Sequence, residues 1–108
     1  RGGTADMCAQ ACSFALMNSM GLVCDPVAGL VEIPCVYRNV GGVANAFSAA
    51  DMALSGLRSP IPTDEVIDAM QSVGDQMPAC LRETGEGGVA AAPMARQIAR
   101  RVLGAQKE

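Results

Sequence analysis

A chain of 108 residues with net charge −3, from eight basic and eleven acidic side chains, is one domain by length and can bury roughly two-thirds of its unfolded surface. That charge balance argues against a nucleic-acid surface, which needs clustered Lys and Arg, and no apolar run approaches the roughly 18 residues that cross a bilayer. Half the residues are apolar, mostly Ala, Val, Leu and Met, with two Phe, one Tyr and no Trp, a palette suited to close helix packing rather than to a β-sandwich.

The chain opens Arg-Gly-Gly-Thr, with no initiating Met and no signal-peptide pattern, so it is expected to be a piece of something longer. Thr4 is a suitable N-cap, and Asp6 sits where the helix dipole favours an acid. From there "ADMCAQACSFALMNSM" carries a wide apolar stripe, which predicts a helix buried on most sides and closed by Gly21. Cys8 and Cys12 lie four apart on it; small core residues are the favoured reading over a metal pair.

Residues 21–42 follow with Pro and Gly punctuation and no sustained period, so they read as irregular. "VEIPCVY" alternates, but Pro34 inside it demotes a strand to a loop or a broken helical turn. "VANAFSAADMALSG" predicts a helix with Val43, Ala46, Phe47, Ala50 and Leu54 inside and Gly56 at its end. "SPIPTDEVIDAMQSV" predicts the next, with Thr63 as N-cap, Asp64 and Glu65 in the first turn, and Val66, Ile67, Met70 and Val73 or Gly74 inward. "DQMPACLRET" should continue it with a break near Pro78. "TGEGG" is a loop whose three glycines allow positive φ or close backbone approach. "APMARQIARRVLG" predicts the last helix, with Pro93 in its first turn, Gly104 as C-cap and a fraying tail through Glu108. Its "RQIARR" run reads as a solvated helix side. The expected fold is all-α: residues 1–108 as one compact bundle of four to five helices, with an irregular Cys-containing loop after the first.

Five cysteines is an odd number for a disulfide framework, and points to a reducing, cytoplasmic setting with thiols buried or metal-bound. Cys24 and Cys35 are separated by ten intervening residues in the irregular segment. By spacing alone two buried loop cysteines are favoured, since metal sites use tighter pairs. Irregular backbone, however, offers free N–H groups that stabilise thiolate or sulfide. The chain has no His, so a metal here needs soft thiolate ligands, as in an iron–sulfur cluster or an all-Cys zinc site. Arg38 could grip a carboxylate or make a surface salt bridge, and Glu83 and Thr84 could cap a helix or face a ligand. The glycine run matches no phosphate-binding fingerprint, and nothing here suggests a hydrolytic triad.

The stretch "GLVCDPVAGLVEIPCVYRN", together with "RETGEGGVA", resembles the C-terminal part of the α subunit, or α domain, of iron–sulfur-dependent bacterial L-serine dehydratases. The opening "GGT" and the helix after it also fit, so the resemblance covers essentially the whole chain. It implies a 4Fe–4S cluster held by three cysteines with the fourth iron open to substrate. Cys24 and Cys35 match two of those ligands. The third belongs to a Gly-Cys-Gln segment upstream of the matched stretch, and Cys8, Cys12 and Cys80 do not fall on that motif. It further implies Lewis-acid activation of the serine hydroxyl, removal of the α proton, and an aminoacrylate that ends as pyruvate and ammonia without pyridoxal phosphate; the one Lys here is Lys107 in the tail. Arg38, Asn39, Glu83 and Thr84 lie in the matched stretches and are the substrate-pocket candidates; the catalytic base is not identified. The implied partners are L-serine and a β subunit or β domain, with homo-oligomers open and neither nucleic acid nor membrane involved. On its own the chain is expected to be inactive and without its cluster. The alternatives are a metal-free helical interaction module with Met- and Ala-rich docking faces, and an all-Cys zinc domain.

Overall fold

In the computed structural model, which describes residues 2–105, four α-helices follow one another: α1 Ala5–Ser19, α2 Cys35–Leu54, α3 Thr63–Gln76 and α4 Pro93–Ala105. Single 3-10 turns at Val27–Gly29, Ala79–Leu81 and Gly88–Ala91 punctuate the connections, and there is no strand among the described residues. The all-α expectation therefore holds. The tail beyond Ala105, including Lys107, lies outside the described residues.

The chain divides into two compact units, Arg1–Leu22 with Val40–Gln76 and Val23–Asn39 with Met77–Glu108. In the first, Thr4 caps α1 as the sequence indicates: its Oγ1 accepts the Met7 N–H at 3.2 Å, and Gly21 takes the left-handed φ of +91° just past the end. Phe14, Ala49 and Ala53 are buried together, with Met7, Ala11, Ala15 and Met52 packed around them. Burying one Phe side chain stabilises the fold by about 2–3 kcal/mol, and the alanines let α2 approach closely enough for Asn45 to donate to the Ala15 carbonyl at 2.9 Å.

This close approach overturns the expected inner face of α2. Val43 and Phe47 are 58% and 56% exposed, Ala46 and Leu54 are exposed and Ala50 is half-buried. The buried side carries Ala49 and Ala53 instead, because small residues, not large ones, permit the contact. The same logic places Cys8 and Cys12 outside: both are exposed, so they are not the core thiols expected. On α3, Val66 is buried, Met70 and Gly74 are half-buried, and Ile67 and Val73 are exposed.

Thr63 is not the N-cap of α3 but its first residue. Its hydroxyl donates to the Ala9 carbonyl of α1 at 3.1 Å and lies 2.7 Å from the Ser13 hydroxyl, which is 1% exposed. With its single proton used on Ala9, Thr63 accepts from Ser13. The first-turn amides of Glu65 and Val66 go to the Pro62 carbonyl instead. The second unit resumes after α3, and at Pro78 it takes the turn Ala79–Leu81 rather than more helix. Pro93 opens α4, tolerated there because a first-turn N–H has no helical partner, and the helix runs through Gly104 to Ala105 instead of capping at Gly104.

Candidate functional site

The expected site residues all fall in the second unit, and the backbone around Cys24 explains why. Pro26 and the turn Val27–Gly29 keep the segment out of any helix, with Ala28 and Gly29 at φ of +58° and +71°. Cys24 is held instead by main-chain bonds to a distant segment. Its N–H donates to the Leu81 carbonyl at 2.9 Å, and its carbonyl accepts the Glu83 N–H at 2.9 Å, so Cys24 and Arg82 form an isolated parallel bridge. The Cys24 side chain is exposed, which removes the buried-core reading of this thiol.

Cys35 differs from the sequence expectation. Helix α2 begins at Cys35, eight residues earlier than Val43, so only Cys24 belongs to the irregular loop. Pro34 sits just before the first turn, where its missing N–H has no consequence, and its carbonyl accepts from the Arg38 N–H at 3.0 Å. The half-buried Cys35, Arg38 and Asn39 therefore share one helical start.

Between the two thiols lies a residue that the sequence reading missed. Asp25 is 1% exposed, a buried carboxylate that needs partners. One oxygen pairs with the Arg38 guanidinium and the other accepts the Val89 N–H at 2.5 Å. Arg38 also donates to the Val23 carbonyl at 2.8 Å. Burial alone would raise the Asp25 carboxyl, but the Arg38 guanidinium and the Val89 amide outweigh it and hold the group below its ordinary value. The neighbouring Gly88 is sterically required: a Cβ there would lie 2.1 Å from Asp25 Oδ2, and its φ is +57°. The only sequence signal for Asp25 was its place in the Cys-Asp-Pro motif, with Arg38 downstream to match its charge.

The "RETGEGG" loop closes over the same segment, as its glycines suggested. A Cβ at Gly85 would lie 2.7 Å from the Gly29 nitrogen, and one at Gly87 would lie 2.7 Å from the Cys80 carbonyl oxygen. Thr84 donates to that Cys80 carbonyl at 2.7 Å and accepts the Glu86 N–H at 3.3 Å. Glu83 is exposed with φ of +62°, a conformation that persists in a non-glycine residue only when its surroundings fix it. Asn39 is exposed on the first turns of α2. The structure thus joins Cys24 to Glu83 through the main chain and to Arg38 through Asp25, while Thr84 binds within its own loop.

All five cysteines are free of disulfides. Among the described residues no group of three or more His, Cys, Asp or Glu side chains could hold a metal ion. The thiols of Cys24 and Cys35 are donors of the kind a soft metal takes. No helix among the described residues is long and apolar enough to cross a membrane.

The family model described as "Serine dehydratase alpha chain" matches residues 1–90. The chain is similar to the probable L-serine dehydratase alpha chain of Bacillus subtilis, 57% identical over 95% of this chain and 34% of the relative. The corresponding protein of Latilactobacillus sakei is 55% identical over 95% of this chain and 49% of its own length. The L-serine dehydratase alpha chain of Peptoniphilus asaccharolyticus is 50% identical over 94% and 35%, respectively. The chain thus spans about a third to a half of the length of these relatives. No solved structure matches it.

Proposed function

Because this chain belongs to the serine dehydratase alpha-chain family, we propose that it is the cluster-binding part of an L-serine dehydratase, with Cys24 and Cys35 as two of three thiolate ligands to a 4Fe–4S cluster. The observation that carries this reading is the setting of Cys24: an exposed thiol on non-helical backbone whose own N–H and carbonyl are both tied to the Leu81–Glu83 segment. When bound, the cluster supplies a Lewis-acidic iron for the hydroxyl of L-serine.

The protein's own groups hold and surround that centre. Arg38, engaged by Asp25 and the Val23 carbonyl, fixes the loop and leaves less of its guanidinium for a substrate carboxylate. Glu83 offers an exposed carboxylate to the substrate ammonium or to a proton, on backbone bonded directly to Cys24. Asn39 and Thr84 border the pocket, Thr84 through a hydroxyl already donated to Cys80. The whole enzyme pairs this part with a β chain or β domain, in keeping with relatives named as alpha chains. Alone, the chain carries two ligands of three and turns over no serine.

The test is Cys24→Ala and Cys35→Ala in the full-length enzyme, purified without oxygen and assayed for iron, sulfide, visible absorbance and pyruvate release from serine. Loss of both cluster and turnover in each variant is the expected result. A cluster and activity that survive refute the ligand assignment. Stoichiometric zinc in protein purified in air supports the all-Cys zinc site instead, and metal-free protein with unaltered partner binding supports an interaction module.

A further inference from the structure

We infer that Asp25 is a positioning residue of the cluster site, a latch that sets the Cys24 thiol relative to Cys35; this rests on the reading of those cysteines as ligands. One fully buried carboxylate joins three segments that the sequence separates widely: the Cys24 loop, the first turns of α2 through Arg38, and the Gly88–Ala91 turn through the Val89 amide. Arg38 follows Cys35 by three residues on the same helix, about 4.5 Å along its axis. Its guanidinium binds both flanks of Cys24, the Val23 carbonyl on one side and the Asp25 carboxylate on the other.

The remaining polar groups of the loop point to the same purpose. Both main-chain groups of Cys24 are bonded to residues 81 and 83, so the thiol is the one group at this position that the fold leaves unused. An ion pair with its carboxylate buried is a poor device for stability alone, since well-packed apolar residues of similar volume commonly do as well or better. It is a good device for fixing one arrangement of segments, and the 2.1 Å that separates a hypothetical Gly88 Cβ from Asp25 Oδ2 shows how closely this arrangement is drawn. Residues that orient metal ligands from behind typically change metal affinity about 10- to 100-fold when removed.

Asp25→Asn in the full-length protein keeps the shape and removes the charge. Three measurements read it: far-UV circular dichroism, iron retained after anaerobic reconstitution with the electron paramagnetic resonance spectrum of the reduced cluster, and the alkylation rate of the Cys24 thiol in metal-free protein relative to exposed Cys8. Expected are an unchanged helical signal, iron affinity lowered about 10- to 100-fold, an altered resonance spectrum and faster Cys24 alkylation, with Asp25→Glu restoring part of each. Wild-type iron content and spectrum in Asp25→Asn, alongside their loss in Cys24→Ala, overturn the latch while leaving the ligands in place. A cluster that survives Cys24→Ala overturns the ligand reading itself, and with it a latch for the cluster. An Asp25→Asn protein that loses its helical signal overturns the positioning role, because the carboxylate then serves the fold as a whole.

Discussion

Replacing Gly88 by Ala should be among the most damaging single-methyl changes available in this chain. Two costs coincide there. An L-residue at the Gly88 φ of +57° is strained by about 1–2 kcal/mol. The new methyl would also sit 2.1 Å from Asp25 Oδ2, far inside van der Waals contact, so the carboxylate must withdraw. Withdrawal breaks its bond from the Val89 amide, a charged hydrogen bond of about 1.5–3 kcal/mol. Together these give about 2.5–5 kcal/mol of destabilisation, enough to lower the thermal midpoint by about 10 °C or more in a domain of this size. Gly41→Ala is the control: it lies in α2 with nothing within 4 Å of its virtual Cβ and should stabilise by about 0.5–1 kcal/mol. Circular-dichroism melts and urea titrations of both variants read the contrast. A Gly88→Ala midpoint within a few degrees of the parent would refute the claim that the buried carboxylate is closely confined.

Thr63→Val should cost more than Ser13→Ala, because it strands the buried Ser13 hydroxyl without its acceptor at about 1–3 kcal/mol; equal losses in urea titrations would contradict that accounting. Brief treatment with iodoacetamide under reducing conditions should label Cys8, Cys12, Cys24 and Cys80 ahead of the half-buried Cys35, and peptide mass spectrometry showing Cys35 labelled first would contradict the described burial. Arg58 bonds both carboxylate oxygens of Asp6 at 2.5 and 3.2 Å and holds that carboxyl below its ordinary value. A carboxyl depressed in this way contributes stability that is present above its unfolded value and lost as pH falls through its folded one. Arg58→Ala should therefore move the Asp6 midpoint upward in an NMR titration and flatten the acid limb of the stability curve; an unmoved midpoint sinks the pairing.

Local signals in the sequence carried a good part of the fold. Thr4 read correctly as a cap because the bond its hydroxyl accepts comes from the first turn of its own helix. The "TGEGG" glycines read correctly as points of close approach because nothing larger than hydrogen fits at 85, 87 and 88. Features decided by tertiary packing were less legible. Val43 and Phe47 look like core residues by hydrophobicity, yet the α1–α2 contact selects Ala49 and Ala53 because backbone approach needs small side chains. Thr63 has the composition of a cap, but the Ala9 carbonyl and Ser13 engage its hydroxyl from another helix. The early start of α2 was obscured by Gly41 and Gly42, each of which costs about 1 kcal/mol in a helix interior without stopping it. Cys24 and Cys35 stood out through their motif, whereas Asp25 was masked because an acidic residue in a loop is ordinarily solvated.

The two peptide hydrogen bonds that tie Cys24 to Leu81 and Glu83 divide the labour at this position. The address of the sulfur is written in amide and carbonyl groups that every amino acid but proline possesses, and its reactivity in the one atom that only cysteine brings. Neither bond uses a side chain, so chemistry at position 24 can be exchanged, sulfur for oxygen or hydrogen, without unfastening the segment that carries it.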